Sequence, residues 1–541
     1  GAWAKLAASM QGQASYRLQL GFVKGQTEML LTSNLAGLAL NLPSPLAKAA
    51  EAPLPLRVQT SLQPDSLNGS ATPRDQLRVE LGAIAQAVFV RELGKDGPRV
   101  LRSAMAVGSA LPPAVPGGQL IAEFNNSVSF DAWRSMLSTV APGGSAAGGD
   151  AGYLPRQLTV RARDAIVAGR RFTGNVLELQ RQQTRDGDDL WRANLQSDQA
   201  AGTIEYRELA NPGGAGQLNA RLSRLWIPVA DSASAIAANA AEPSSSSVPS
   251  SMPAMDVIVE DLSWRGHKLG RVELLAVNRA GAASREWRLQ KLQLRAPEAS
   301  LEASGQWSAL PPNAQRRMAL EFQLELADSG ALLERLGFGK TMRGGRGRMQ
   351  GQLGWAGSPL SLDLPSLDGQ VTIALEAGQF LNVDTGAARL LGVLSLQSLP
   401  RRFLLDFRDV FQEGFAFDNI GGEVRLAGSV AHINSWRIRG VQATVLMDGQ
   451  ADLDRETQDL HVFVVPEINA GTASLAYAAI NPAIGLGTFL AQWLLRRPLI
   501  AANTREFHVT GSWAEPKVDR IERKSLEAGP AGQAGGTNPT Q

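Results

Sequence analysis

The chain has 541 residues, 44% hydrophobic and 19% charged, a balance that buries a core and excludes a disordered chain. Its 53 basic and 51 acidic side chains leave a formal charge of +2, so no whole-chain field concentrates nucleic acid and any partner is recognised locally. The absence of cysteine removes disulfides and thiolate metal sites, and the four histidines, His267, His432, His461 and His508, are too widely spaced for an HExxH or paired-histidine motif, so no metal or other cofactor is expected.

The amino terminus, Gly1-Ala-Trp-Ala-Lys5, lacks a basic region followed by a long apolar run, so neither a signal peptide nor a membrane anchor is read there. Gln13 to Leu20 already reads as a strand, and the chain is therefore expected to begin inside a larger protein. Asp131 is placed to cap a short helix through Trp133 and Leu137, and Pro142 to Asp150, rich in glycine, reads as a joint. Ala230 to Ala254, with its Ser244–Ser247 run, buries no apolar area and reads as a linker.

Met318, Leu320, Phe322, Leu324 and Leu326 alternate with Ala319, Glu321, Gln323 and Glu325, the period-two pattern of a sheet with one apolar and one wet face. Val371, Ile373 and Leu375 repeat it, as do Phe507, Val509, Gly511 and Trp513. One-faced alternation favours antiparallel meanders over buried parallel sheets. Helices punctuate the strands: Asp328 or Ser329 caps one through Leu332, Leu333 and Leu336 to a stop at Gly337, and Asp384 or Thr385 opens another through Leu390, Leu391 and Leu394. The pieces expected are 1–150, 151–230, the linker 231–253, 254–365 and 366–525, followed by a disordered tail over 526–541.

An internal repeat runs through these pieces. Around Asp256 the order is a strand, Trp264-Arg-Gly-His-Lys-Leu-Gly270, a strand, Trp287-Arg-Leu, a strand and Gly305-Gln-Trp307. A looser copy starts at Gln157, and Gly-x-Leu-x-Trp returns at Gly351 to Trp355. Each unit has too few strands to bury an apolar face alone, so copies stacked side by side predict an elongated sheet with tryptophans as core anchors.

Motifs for chemistry fail on inspection. Gly339-Lys340-Thr341 looks like the end of a P-loop, but Glu334 stands where the loop needs glycine, and nucleotide binding is not expected. Arg343-Gly-Gly-Arg346-Gly-Arg348 lacks interleaved aromatics, so it reads as a basic hairpin turn, with anionic lipid headgroups as the alternative contact. Asp186-Gly-Asp188-Asp189 lacks the glycine and distal glutamate of a calcium loop and reads as a solvated turn. No nucleophile elbow is present, and no catalytic residue is assigned.

Between Glu467 and Arg496 there is no charge, and the apolar stretch 468–498 reads as helical. Three roles stay open for it: capping the end of a groove, docking at a membrane interface, or spanning a membrane. Phe489, Trp493, Leu494, Arg496 and Arg497 are the candidate docking residues, since a tryptophan beside two arginines suits an interface.

Several stretches resemble the YhdP branch of the AsmA-like family. Gly330-Ala-Leu-Leu-Glu-Arg-Leu-Gly337, Gly351-Gln-Leu-Gly-Trp355, Leu367-Asp-Gly369 and Leu375-Glu-Ala-Gly378 follow one another as in that family. More specific are Arg389 to Arg402, Leu405-Asp-Phe-Arg-Asp-Val-Phe411, Gly414-Phe-Ala-Phe-Asp418 and Arg455-Glu-Thr-Gln-Asp-Leu460. Leu35 to Pro43 is similar to the family's central region, and the linker has no counterpart.

The resemblance implies a carboxy-terminal portion of a bridge-like, non-enzymatic lipid transport protein, mostly β, its long antiparallel sheet curled into an apolar groove. It implies a periplasmic setting, an inner-membrane anchor in the missing amino-terminal part, and an outer membrane or outer-membrane protein near the carboxy-terminal end. Phospholipid acyl chains would then meet Met318, Leu320, Phe322, Leu324, Leu326, Val371, Ile373 and Leu375. The alternative is an envelope assembly factor with a self-filled core that acts through protein contacts.

Overall fold

The computed structural model describes residues 9–23, 26–67, 72–95, 97–140, 153–209, 215–228, 252–280, 285–308, 316–381, 415–440, 443–466 and 505–521. They are mostly strand, and the chain divides into two units, Gly1–Leu320 with Gly357–Leu360, and Glu321–Ala356 with Ser361–Gln541. In neither unit is the sheet strongly curled. No helix among the described residues is long and apolar enough to cross a membrane.

In the first unit an antiparallel ladder runs from Tyr16–Val23 through Gln26–Ser33, Leu56–Leu62, Arg74–Leu81 and Ala85–Gly94 to Gly97–Val107. Gln119–Phe124 then lies parallel to both Gly97–Val107 and Gln157–Val167. Antiparallel pairing resumes through Arg170–Gln183, Asp189–Gln196 and Ala200–Glu208 to Gln217–Ile227. A parallel pair joins that strand to Ala254–Trp264, and His267–Ala280, Arg285–Ala296 and Ala299–Ser308 complete the ladder.

The expected antiparallel meander thus holds except at these joints. A parallel neighbour cannot be reached by a hairpin and needs a long return connection. The connections that precede Gln157 and Ala254 contain the glycine-rich and Ala/Ser-rich stretches singled out in the sequence.

The helix Phe130–Val140 begins one residue before the expected cap. Ser129 Oγ accepts from the Ala132 amide at 3.2 Å, while the Asp131 carboxylate accepts from the Ala168 and Gly169 amides at 3.0 and 3.2 Å. Asp131 therefore secures a turn in which Ala168 has a φ of 49°, a conformation costly for a residue with a Cβ.

In the second unit the helix Ser329–Arg335 has the expected cap, with Asp328 Oδ1 accepting from the Ala331 amide at 2.9 Å. An antiparallel ladder follows: Met342–Ala356, Asp368–Phe380, Phe415–Ala427, Val430–Gly440, Ala443–Asp452, Thr457–Pro466, Arg505–Ser512 and Pro516–Ile521. The basic run Arg343 to Arg348 is not a hairpin turn, as expected from its glycines, but part of the first of these strands. Gly344 and Gly345 have φ of 65° and 83°, and the strand pairs with Asp368–Phe380 in the same register on either side of them.

The helix expected from Asp384 or Thr385, the linker 231–253 up to Ser251, the joint from Pro142 to Asp150, the apolar stretch 468–498 and the tail over 526–541 lie outside the described residues.

Candidate functional site

Residues opposite one another on adjacent strands share a face of the sheet, so register converts local alternation into rows that cross it. In the first unit one such row is apolar throughout. It starts with Leu18, Leu31, Val58, Val79, Ala87 and Met105, and the parallel strand adds Leu120. It continues through Leu158, Leu179, Ala193, Ile204 and Ala220. Past the second joint it runs through Val257, Leu274 and Leu292 to Ala303.

A second row lies beside it. Val160, Leu177 and Leu195 lead to Gly202, whose missing Cβ leaves room for Leu222, and then to Val259, Val272 and Leu294. Most of these side chains are only half-buried, Val160, Leu222 and Val259 are buried, and Leu18 on the edge strand is exposed. A contiguous, half-open apolar face is costly to leave in water.

The opposite face is polar and laced with cross-strand ion pairs. Arg161 meets Glu123 at 2.9 Å, Arg192 meets Glu205 at 2.7 Å and Arg221 meets Asp256 at 2.7 Å. The Lys291 ammonium donates to Glu273 and, with Arg271 and Arg295 nearby, holds that carboxyl below its ordinary range. The clustered carboxylates at Asp186 to Asp189 form the turn read from the sequence, with Thr184 donating its amide to the Asp188 carbonyl and Arg181 paired to Asp189 at 2.7 Å.

In the second unit Val371, Ile373 and Leu375 share one apolar face. Val371 stands between Gly351 and Val424, Ile373 between Met349 and Gly422, and Leu375 between Gly347 and Ile420. Phe322 belongs with them, because its ring edge fills the space above Gly351. Glycine in these strands is a seat for aromatic rings: Trp436 covers Gly422, and Phe417 covers Gly378. Ile373 and Val371 are half-buried, but further along the same face Val445, Met447 and Val462 have no exposed surface. Met318 and Leu326 are buried, whereas Leu320, Phe322 and Leu324 are half-buried.

The tryptophans divide. Trp287 and Trp307, opposite one another in register, are buried anchors whose indole N–H groups donate to the Pro253 and Gly357 carbonyls at 2.9 and 2.6 Å, and Trp355 is buried as well. Trp264 departs from the expected role: it is 47% exposed at a strand end, with the Arg265 guanidinium 5.0 Å from its ring. It stands opposite Ile227 and His267 in register, and the guanidinium lies over the ring as a cation–π contact.

Two of the four histidines, far apart in sequence, are neighbours in space. His461 and His508 stand opposite one another in register, their rings stacked at 4.6 Å, and His508 Nε2 lies 2.6 Å from Asp459 Oδ1. Asp448 flanks His461 on the other side, and burial pushes its carboxyl above the ordinary range, an effect that His461 partly offsets. Spacing within the chain gave no sign of this group, because it is made by pairing across the connection 467–504. The docking residues Phe489, Trp493, Leu494, Arg496 and Arg497 lie outside the described residues.

The family model described as YhdP protein matches residues 2–518. A relative from Escherichia coli (strain K12), described as the intermembrane phospholipid transporter YhdP, is 29% identical over 225 residues, which is 41% of this chain and 18% of that protein. The chain therefore aligns with less than a fifth of that relative's length. No solved structure matches.

Proposed function

The chain belongs to the YhdP family, and on that premise we propose that it provides an apolar groove along which phospholipid passes between the inner and outer membranes. The observation that carries the reading is the unbroken, half-open apolar row crossing the first unit from Leu18 to Ala303. An acyl chain of about fifteen methylenes loses on the order of 12 kcal/mol when it enters water, at roughly 0.8 kcal/mol per CH₂. A continuous apolar face removes most of that penalty at every step, so movement along it needs no bond to be made or broken and no catalytic residue.

In this reading the chain works in the periplasm, joined to the inner membrane by a part of the protein that precedes it and reaching the outer membrane or a protein there. In this reading the half-buried Leu320, Phe322, Leu324, Val371 and Ile373 are lining residues, and the buried Met318, Leu326 and Leu375 pack along the same apolar faces. The wholly buried Val445, Met447 and Val462 favour a second role for the last strands, a closed core that acts as a scaffold for protein contacts.

Photo-crosslinkers at Leu179, Leu274 and Met447, followed by mass spectrometry of attached lipid, test both readings. Phospholipid adducts at Leu179 and Leu274 but not at Met447 are expected. Adducts at none of the three positions, together with no phospholipid in an organic extract of the purified chain, would leave only the scaffold.

A further inference from the structure

The polar face of the second unit holds a group of side chains that lipid passage does not use. Asp459 and His461 are two residues apart on the strand Thr457–Pro466, so both project from one face, and His508 enters from the neighbouring strand directly opposite His461. One ligand atom from each of the three lies within 4.8 Å of the others. His508 Nε2 and Asp459 Oδ1 are already in hydrogen-bond contact at 2.6 Å. No described lysine or arginine is paired with Asp459. Beside His461, the buried Oδ1 of Asp448 has no hydrogen-bond donor among the described residues.

We propose that Asp459, His461 and His508 form a binding site for a divalent transition metal of the zinc class. Two imidazoles and one carboxylate are the donor set that selects such ions over calcium or magnesium, which prefer all-oxygen sites. Ligand bonds of about 2.0–2.2 Å set tetrahedral donor atoms about 3.4 Å apart, so the 2.6 Å His508–Asp459 contact opens and the wider separations close, each by roughly 1 Å, movements that side-chain rotation supplies. On binding, His508 Nε2 gives up any proton it shares with Asp459 to solvent, and the metal replaces that hydrogen bond. The ion with one carboxylate and two neutral imidazoles leaves a charge of about +1, which Asp448 beside His461 balances from outside the ligand shell. Asp459 is exposed and the histidines are half-buried, so water reaches a fourth position.

The bond would tie Thr457–Pro466 to Arg505–Ser512, strands that are adjacent in the sheet but separated in sequence by residues 467–504. The metal therefore acts as a clamp at the base of that connection.

The test uses the whole chain, freed of any polyhistidine tag and treated with chelator, titrated with zinc sulfate by calorimetry and with cobalt(II) by visible absorption. One equivalent is expected, with binding weakened about tenfold or more in Asp459→Asn and in His508→Ala, both checked for intact circular dichroism. X-ray absorption on the zinc-loaded parent reads the shell without any substitution and is expected to find two imidazoles. Absence of uptake in excess zinc, unchanged binding in both variants, or a shell without histidine overturns the proposal.

Discussion

Ile373 and Val462 lie in one apolar row of the second unit, which runs from Met349 through Ile373 and Gly422, under Trp436, to Met447 and Val462. An aspartate at either position tests whether that face is open where lipid is proposed to lie. Val462 has no exposed surface, so Val462→Asp removes about 1.5–3 kcal/mol of apolar burial and strands a charge that costs several kcal/mol more. A loss of about 4 kcal/mol or greater follows, enough to unfold many domains. Ile373 is half-buried, so its carboxylate reaches solvent and Ile373→Asp forfeits only part of the side chain's burial, about 1 kcal/mol. Urea unfolding followed by circular dichroism measures both losses, and lipid extracted from the purified variants reports occupancy. The expected pattern is a folded Ile373→Asp protein with less bound phospholipid beside a Val462→Asp protein that does not fold. Equal destabilisation by the two substitutions would mean that the face is sealed at Ile373 and would refute its place in a lipid path.

Gly422→Ala would put a Cβ 2.3 Å from Trp436 Cε3, and displacing that ring is expected to cost about 1–3 kcal/mol in the same unfolding assay. Trp307→Ala empties a fully buried site and leaves the Gly357 carbonyl without its donor, an expected loss of about 3–5 kcal/mol, while the corresponding change at exposed Trp264 stays within about 1 kcal/mol. The Asp452 carboxylate accepts from the Arg455 and Asp454 amides, which hold its pKa below 3.8. Its stabilising effect is therefore complete above the ordinary carboxylate range and is lost as pH falls through the lowered value. Asp452→Ala should be less stable than the parent at neutral pH, with the difference closing in acid, as read from thermal midpoints across a pH series.

Much of the fold is legible in the sequence because period-two alternation is local. The run from Met318 to Leu326 announces a one-faced strand without reference to any neighbour, and Asp328 announces its helix through a cap only three residues long. Register is not local. Leu179 faces Ala193 and Leu274 faces Leu292 because of how turns and bulges bring strands together, and no spacing within one strand states that choice. The longest apolar row was for this reason missed at the level of sequence, although each of its strands carries the alternation that would have marked its members. Attention to the Met318 strand singled out a single strand, whereas every strand of the first ladder contributes to the long row. The stacked histidines were missed for the same reason. The arginine-glycine run was misplaced because glycine at positive φ sits within a paired strand as well as in a turn, and only the partner strand decides between them.

The row in the first unit also behaves as a ruler. Each strand contributes one step of about 4.8 Å in the direction of pairing, so the length of the apolar track is counted in strands and is independent of what the side chains are, provided they stay apolar. Inserting or deleting one hairpin changes the track by about 10 Å and leaves every remaining residue on its own side of the sheet. The parallel joints at Gln119–Phe124 and at Ala254–Trp264 are where whole blocks can be exchanged without disturbing a hairpin. The length of such a track can be set by gene-level addition of strands, with no new chemistry required at any step.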